Sequence, residues 1–261
     1  MNNLNTEDVL VEVTNGMMKL TLNRPASLNA FSHEMLTRLK ECIERANDDN
    51  EIHVITLIGN GRAFSAGGDV KKMGARDPIG TYTHIGKLNK LILTMRDSEK
   101  PIIAAVHGYA AGAAFNLALA SDIILAAEDT KFILSFSKVG LISDGGGSYL
   151  LPRIIGTYRA KELFFNAEPL SVEEAYSLNI VNHIYAKDEF QDEVNKFANK
   201  LADGPSNAYG FIKKLVDKSL HSNLDEILEL ERITQATIAT TEDHREGIQA
   251  FKEKRQPLFR K

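Results

Sequence analysis

Apolar and polar side chains alternate over residues 9–13 and 18–22 on either side of Asn15-Gly16, the pattern of a β-hairpin. Asn23-Arg24-Pro25 stops the second strand, and a loop runs on to Ala30. Over 33–47 the apolar residues Met35, Leu36, Leu39, Ile43 and Ala46 recur at helical spacing behind Ser32, a predicted N-cap. A short buried strand at 54–58 leads through Asn60-Gly61 into a glycine-rich loop at 64–69, and a helix is predicted over 79–96. A second unit repeats this logic, with a buried strand at 101–106, a loop holding Gly108 and Gly112, and a helix over 113–120. Apolar strands at 122–127 and 131–134, a glycine-rich turn at 140–147 holding Asp144, and a helix over 148–155 bearing Pro152 follow.

Beyond about Tyr158 the strand signal fades. Residues 160–166, 171–178, 189–202, 206–219, 223–240 and 243–254 read as helices, and Ser171 with Glu174 has the spacing of a capping box. The fold class is therefore α/β: a core over 1–200 followed by a helical region over 201–261. The two strand, small-residue loop, helix units at 54–73 and 102–120 predict successive layers of one spiral.

Composition narrows the function. The chain has 261 residues, with 31 basic against 35 acidic side chains and a net charge of -4. It lacks the basic excess of a protein that binds nucleic acid by bulk electrostatics. The single cysteine, Cys42, excludes an internal disulfide and a Cys/His zinc cluster, and it reads as packed within an amphipathic helix. The start of the chain has no basic stretch followed by an apolar core. The longest apolar stretch, 101–120, is interrupted by His107 and Asn116, short of the roughly 18 residues of a membrane span. A soluble, cytoplasmic protein with no membrane partner is expected.

Three loops carry the candidate chemistry. In Phe64-Ser65-Ala66-Gly67-Gly68-Asp69 the small residues let a ligand approach the backbone; a plain tight turn accounts for it equally well. His107-Gly108-Tyr109-Ala110-Ala111-Gly112-Ala113 follows a buried strand and opens a helix, where N–H groups are unpaired; close packing through small residues is the alternative. Together the two loops can each aim one N–H at the same oxygen, as an oxyanion hole does. The third loop holds Asp144 among glycines and apolar residues. There it is either a general acid/base with a raised pKa or the N-cap of the following helix, and spacing alone favours the cap. His107, His84, Tyr82, Tyr149, Met73 and Met95 are read mainly as turn-bonding or packing residues.

These loops, with the run PIIAAVHGYAAGAAFNLALASDIILAAEDTKF and the following KVGLISDGGGSYLLPRIIG, resemble the crotonase superfamily, the enoyl-CoA hydratase/isomerase enzymes, from NRPASLNAF to the C-terminal FKEKRQP. The resemblance implies a spiral of ββα turns followed by oligomerising helices, a homotrimer or homohexamer, and an acyl-CoA thioester as substrate. It implies no metal or separate cofactor, coenzyme A arriving as part of the substrate. By motif, the N–H groups that hold a thioester enolate fall on Gly68 and Ala113. Coenzyme A is expected against Ser27, Leu28, Ala30, Ala66, Asp69, Val70 and Lys71, with Phe251 and Lys254 contributed by a neighbouring subunit.

The departure from the hydratase pattern is specific. The two glutamates that activate water in family hydratases correspond to Asn116 and Phe136, neither of which is a base. Phe136 makes that side of the site apolar. Asp144 is the carboxylate left, at the position used by the family's double-bond isomerases and by the ring-opening isomerases of phenylacetate degradation, which the chain most resembles. The resemblance thus implies an isomerase that shifts a double bond, or opens a ring epoxide, with Asp144 as acid/base. A hydratase adding water to 2-enoyl-CoA, or a non-catalytic CoA- or RNA-binding protein on the same scaffold, are the alternatives.

Overall fold

The structure, a computed structural model, describes residues 8–69 and 77–259. Its main sheet has six strands in the order β1-β2-β3-β4-β6-β9. β1 (Val9–Thr14) and β2 (Met17–Leu22) form the antiparallel hairpin, with Asn15 and Gly16 at positive φ in the turn. β3 (Val54–Gly59), β4 (Ile102–Val106), β6 (Ile123–Ala127) and β9 (His183–Tyr185) add in parallel. A second sheet joins β5 (Tyr109–Ala111), β7 (Lys131–Ile133) and β8 (Leu170–Ser171).

The apolar runs of β3, β4 and β6, interrupted only by the buried Thr56 of β3, follow from burial on both faces. One alternating set, Ile55, Leu57, Ile102, Ala104, Val106, Ile124 and Ala126, packs in the main core with α1 (His33–Asp48), α2 (Pro78–Asp97) and α3 (Ala113–Leu119). The other set, Val54, Ile58, Ile103, Ala105, Leu125 and Ala127, is covered by α7 (Phe190–Ala202) through Phe190, Val194, Ala198 and Ala202, one residue per turn.

The two sheets define the spiral. The strands β2, β3, β4 and β6 of the main sheet each run on into a segment of the second layer. β4 continues as β5 and β6 as β7, while β3 continues into a segment that bridges Ala110 through Ser65 and Phe31 through Gly68. Four successive turns are thereby stitched by backbone, Phe31 to Gly68, Ser65 to Ala110, Tyr109–Ala111 to Lys131–Ile133. The layered reading of the sequence is correct, and the fold is α/β with a helical C-terminal third. Three short strands went unread: β5, β8 and β9 are two or three residues each, and their pairing depends on partners elsewhere in the chain.

After α4 (Gly147–Ile155) and α5 (Thr157–Asn166), α6 (Val172–Ser177) starts in the capping box that the sequence predicts. The chain then leaves the spiral as α8 (Ser206–Ser219), α9 (Leu224–Ile238) and α10 (Glu242–Glu253). α8 is fastened to the core by a buried lysine. Lys213 donates to Asp122 Oδ2 at 2.9 Å and to the carbonyl of Met95 at 2.9 Å, and the same carboxylate oxygen accepts from the N–H of Ile102. Burial pushes the Asp122 carboxyl above its ordinary pKa and the Lys213 ammonium below its own. The pair is therefore held at a desolvation cost, and removing one partner strands the other. We expect Lys213→Ala to lose about 3–5 kcal/mol of stability in urea denaturation. Lys214→Ala, at an exposed pair with Glu99, is expected to lose under about 1 kcal/mol.

Candidate active site

The site is assembled where three turns of the spiral meet. Its first wall is the loop before α1. Asn29 is fully buried, and its Nδ2 donates to the carbonyls of Asn60, Ala63 and Phe64 at 2.9, 2.8 and 3.2 Å. Its Oδ1 accepts from the N–H of Arg24 at 2.8 Å. Leu28 and Asn29 both have φ above +50°, an unfavourable conformation for leucine that this network holds in place. Ser27 ends a short 3₁₀ turn and bonds back to the Arg24 carbonyl, the carbonyl of Leu28 accepts from the N–H of Ala66, and Arg24 donates to the carbonyl of Ala30.

The second wall is the segment 65–69. Ser65 Oγ donates to the Asn29 carbonyl and accepts from the N–H of Gly67. Gly67 has φ +78°, and a Cβ there would lie 2.2 Å from the carbonyl oxygen of Ala111 and 3.0 Å from the nitrogen of Ala113. Only glycine fits. Its closeness makes neighbours of the Gly68 backbone and the start of α3. Among the described residues neither the Gly68 nor the Ala113 N–H meets an acceptor. Ala113 is the first residue of α3, where no intrahelical acceptor exists. Asp69 directly follows this backbone; Val70, Lys71 and Met73 lie outside the described residues.

The third wall carries Asp144. Asp144 is not the cap of α4: that position is taken by Gly146, with no side-chain hydrogen bond, so the capping reading is corrected. Gly145 and Gly146, both at positive φ, fold the chain between Asp144 and the helix and direct the carboxylate elsewhere. Asp144 Oδ1 is buried and has no hydrogen-bond partner among the described residues. The surroundings of its loop are apolar, with Leu88 and Ile92 of α2 and Leu150 of α4 against Gly145 and Gly146. Burial pushes the carboxyl up to about 6. Asn116, on the same face of α3 as Ala113, donates to the carbonyl of Asp144 at 2.7 Å and to Ser143 Oγ at 3.0 Å. Phe136 lies beside Gly112, its ring 3.6 Å from where a Cβ of that glycine would stand, and so borders the Ala113 N–H with hydrocarbon.

The remaining candidates separate from these three walls. Phe251 is 86% exposed near the end of α10, and Lys254 is that helix's C-cap at φ +55°. Tyr82 is exposed and Met95 lies in the core. Cys42 is fully buried, and burial raises its thiol pKa. His107 Nε2 lies 3.0 Å from the carbonyl of Gly61, and burial holds the ring below its ordinary pKa, so it serves the turn as a neutral group. A cleft of about 990 Å³ along α2, α4 and α8 meets the third wall at Gly146 and Leu150 and is lined by none of Gly68, Ala113 and Asp144. Asn29 and Asn116 are the residues whose structural parts the sequence did not reveal. Each is a polar side chain inside an otherwise apolar or turn-forming run, and that was the available signal.

A spiral of ββα turns, with a small-residue strand end packed against a helix start and a buried carboxyl opposite apolar side chains, defines a class of fold. The comparisons agree. Residues 12–261 match the family described as enoyl-CoA hydratase/isomerase, and the chain belongs to that family. It is 39% identical over 258 residues to 1,2-epoxyphenylacetyl-CoA isomerase of Escherichia coli (strain K12), covering 97% of this chain and 98% of that one. It is 34% identical to trans-2-decenoyl-[acyl-carrier-protein] isomerase of Streptococcus mutans, over 97% of this chain and 98% of the relative. Among solved structures, an enoyl-CoA hydratase from Polaromonas sp. JS666 superposes with a TM-score of 0.93 at 33% identity, over 97% of this chain and 99% of that one. The chain is an enzyme of a family in which isomerase and hydratase names both occur.

The raised carboxyl has a consequence for stability. A folded pKa near 6 against about 3.9 unfolded means that the folded state holds Asp144 protonated more readily than the unfolded state does. Ionising it therefore costs stability, and the cost grows as pH rises from about 4 to 6 and is constant above. Asp144→Asn is expected to be as stable as the parent protein at pH 4 and more stable by about 1–2 kcal/mol at pH 8, after allowance for partial solvent screening. Urea melts at the two pH values check this; a loss of stability at both would return Asp144 to a structural role.

Proposed function

We propose that this enzyme isomerises an acyl-CoA thioester, shifting a double bond or opening a ring epoxide through an enolate. The observation that carries this reading is the buried carboxyl oxygen of Asp144, which has no hydrogen-bond partner among the described residues and whose loop packs against apolar side chains. On an unsaturated substrate, the Asp144 carboxylate takes a proton from C2 of a 3-enoyl thioester. The electron pair passes to the thioester oxygen, giving a dienolate held by the N–H groups of Gly68 and Ala113. The same carboxyl then returns the proton at C4, leaving a 2-enoyl thioester and the ionised base. One acid/base suffices because the proton only changes carbon. A pKa near 6 leaves the group mostly ionised at neutral pH, yet more basic than an ordinary carboxylate.

Hydration is the alternative, and Asn116 and Phe136 weigh against it. The amide is committed to the 143–144 backbone and hydroxyl, and the ring offers water nothing. Two relatives bear isomerase names, one for an epoxyphenylacetyl-CoA and one for a decenoyl-acyl-carrier-protein, which supports the same side. In this reading Ser27, Leu28, Ala30, Ala66, Asp69, Val70 and Lys71 receive coenzyme A and no separate cofactor takes part. The helical third mediates a trimer or hexamer, in which a neighbouring subunit's Phe251 and Lys254 complete the site. The protein acts in the cytoplasm. The exposed Leu224, Leu228, Ile233 and Phe251 on α9 and α10 support the assembly.

Two measurements test the mechanism. Asp144→Asn is expected to lower turnover of 3-enoyl-CoA by about 100- to 10,000-fold, while the parent protein hydrates crotonyl-CoA far more slowly than it isomerises its preferred 3-enoyl-CoA. Full isomerase activity in Asp144→Asn, or hydration at a rate comparable to isomerisation, would sink the proposal. Separately, Ala113→Pro removes one N–H at a helix start that tolerates proline. Turnover is expected to fall by roughly 100- to 1,000-fold, with the dissociation constant for coenzyme A within a few-fold of the parent and circular dichroism unchanged. Near-normal turnover in the folded variant would remove that donor from the mechanism.

A further inference from the structure

Beyond the acid itself, the structure contains a device for holding it. Asn116 is 0% exposed and sits one helical turn after Ala113 on α3. Both hydrogens of its amide go to the acid's loop, one to the carbonyl of Asp144 at 2.7 Å and one to Ser143 Oγ at 3.0 Å. The orientation of the amide is fixed by its partners, since a carbonyl acceptor requires the NH₂ group on that side. Its Oδ1 is buried with no partner among the described residues. Gly147 shows how tightly the clamp is seated, because a Cβ there would lie 2.3 Å from Asn116 Oδ1 and 2.4 Å from Ser143 Oγ. One turn of one helix therefore carries at its start the Ala113 N–H, close to Gly67 and with no acceptor among the described residues, and at its end the anchor of the loop that bears Asp144.

We propose that Asn116 is the positioning residue of the isomerase reaction, fixing the Asp144 loop to the helix that supplies the Ala113 N–H, so that base and enolate donor keep one separation while a proton leaves one carbon and returns to another. The inference rests on the isomerase reading above. The position that corresponds to a water-activating glutamate in family hydratases is here reassigned to holding the base. An asparagine has no proton to exchange at neutral pH, but it has the two donors that a backbone carbonyl and a hydroxyl require. The other elements against this loop add Leu88 and Ile92 from α2 and Leu150 from α4, none of them titratable. Among the described residues no charged side chain shifts the Asp144 carboxyl, and its exposure to water depends on how firmly its loop is held.

The test uses the full chain and compares Asn116→Ala, which removes the clamp, with Asn116→Asp, which keeps its volume but replaces both donors by acceptors, and with Ser143→Ala, which removes one of the two anchors from a half-exposed loop position. For each variant shown to be folded by circular dichroism, kcat and KM for a 3-enoyl-CoA, the dissociation constant for coenzyme A, and the pH dependence of kcat/KM are measured. For Asn116→Ala we expect kcat to fall by about 10- to 100-fold, with KM and coenzyme A affinity within about threefold of the parent. The acid limb of kcat/KM should move from near 6 toward the ordinary carboxylate range as the loop loosens and the carboxyl hydrates. Asn116→Asp should lose at least as much, and Ser143→Ala about two- to fivefold in kcat. A purely structural asparagine would lower the melting temperature and leave the acid limb in place. A folded Asn116→Ala with kcat and acid limb within twofold of the parent overturns the proposal. If Asn116→Ala does not fold, parent-like kcat and acid limb in Ser143→Ala overturn it instead. Asp144→Asn run beside them separates the two readings: an active Asp144→Asn defeats the isomerase mechanism itself, whereas an inactive one beside a parent-like Asn116→Ala defeats only the clamp.

Discussion

The close approach of Gly67 to the start of α3 is the constraint on which the rest of the site depends. With a Cβ excluded by the Ala111 carbonyl and the Ala113 nitrogen, two strand ends from successive turns of the spiral can lie directly against one another. The stitching that permits it is almost all backbone: Phe31 to Gly68, Ser65 to Ala110, and the N–H of Gly112 to the carbonyl of Ile133. Such contacts do not depend on side-chain identity, so the geometry is set by the strand register of the two sheets. Where side chains do enter, they are the fully buried Asn29 amide and Ser65 hydroxyl, which bond loop carbonyls, while the Gly68 and Ala113 N–H groups meet no acceptor among the described residues.

In the proposed reaction the chemistry is divided between that backbone and the Asp144 carboxyl. Fixed N–H groups stabilise charge wherever an enolate develops, regardless of what the acyl chain does next. The outcome is then decided by the groups around the carbon atoms. In this chain these are an acid raised by burial, a phenyl ring, and an amide engaged with the acid's own loop. One scaffold can host both reactions, because the reaction is set by the side chains at the site rather than by the fold.

How much of this was legible beforehand depended on the length and self-sufficiency of each signal. The strands β3, β4 and β6 were readable because burial on both faces leaves a nearly continuous apolar run, and α7 because Phe190, Val194, Ala198 and Ala202 repeat every four residues. β5, β8 and β9 were not, because two or three residues carry no period and gain their identity only by pairing. Asp144 shows a different limit. Spacing before a helix favoured a cap, and what decided against it was the pair of positive-φ glycines that place Gly146 at the cap instead. The part played by Asn116 was invisible for a similar reason, since its partners lie 27 and 28 residues away in a loop whose path the sequence does not state.

The Lys213–Asp122 tie bears on the order in which this molecule can assemble. The turns of the spiral close mainly through contacts between neighbouring units, whereas Lys213 and Asp122 are 91 residues apart. Bringing such distant groups together carries the larger loop-closure entropy, and there is no reward until both the β4–β6 edge and α8 exist to bury them. The Lys213–Asp122 contact can therefore reward docking of the helical third only once that part of the spiral is in place. A nascent chain that has emerged only as far as the spiral carries an Asp122 carboxylate with the Ile102 N–H to bond but its lysine still to be made.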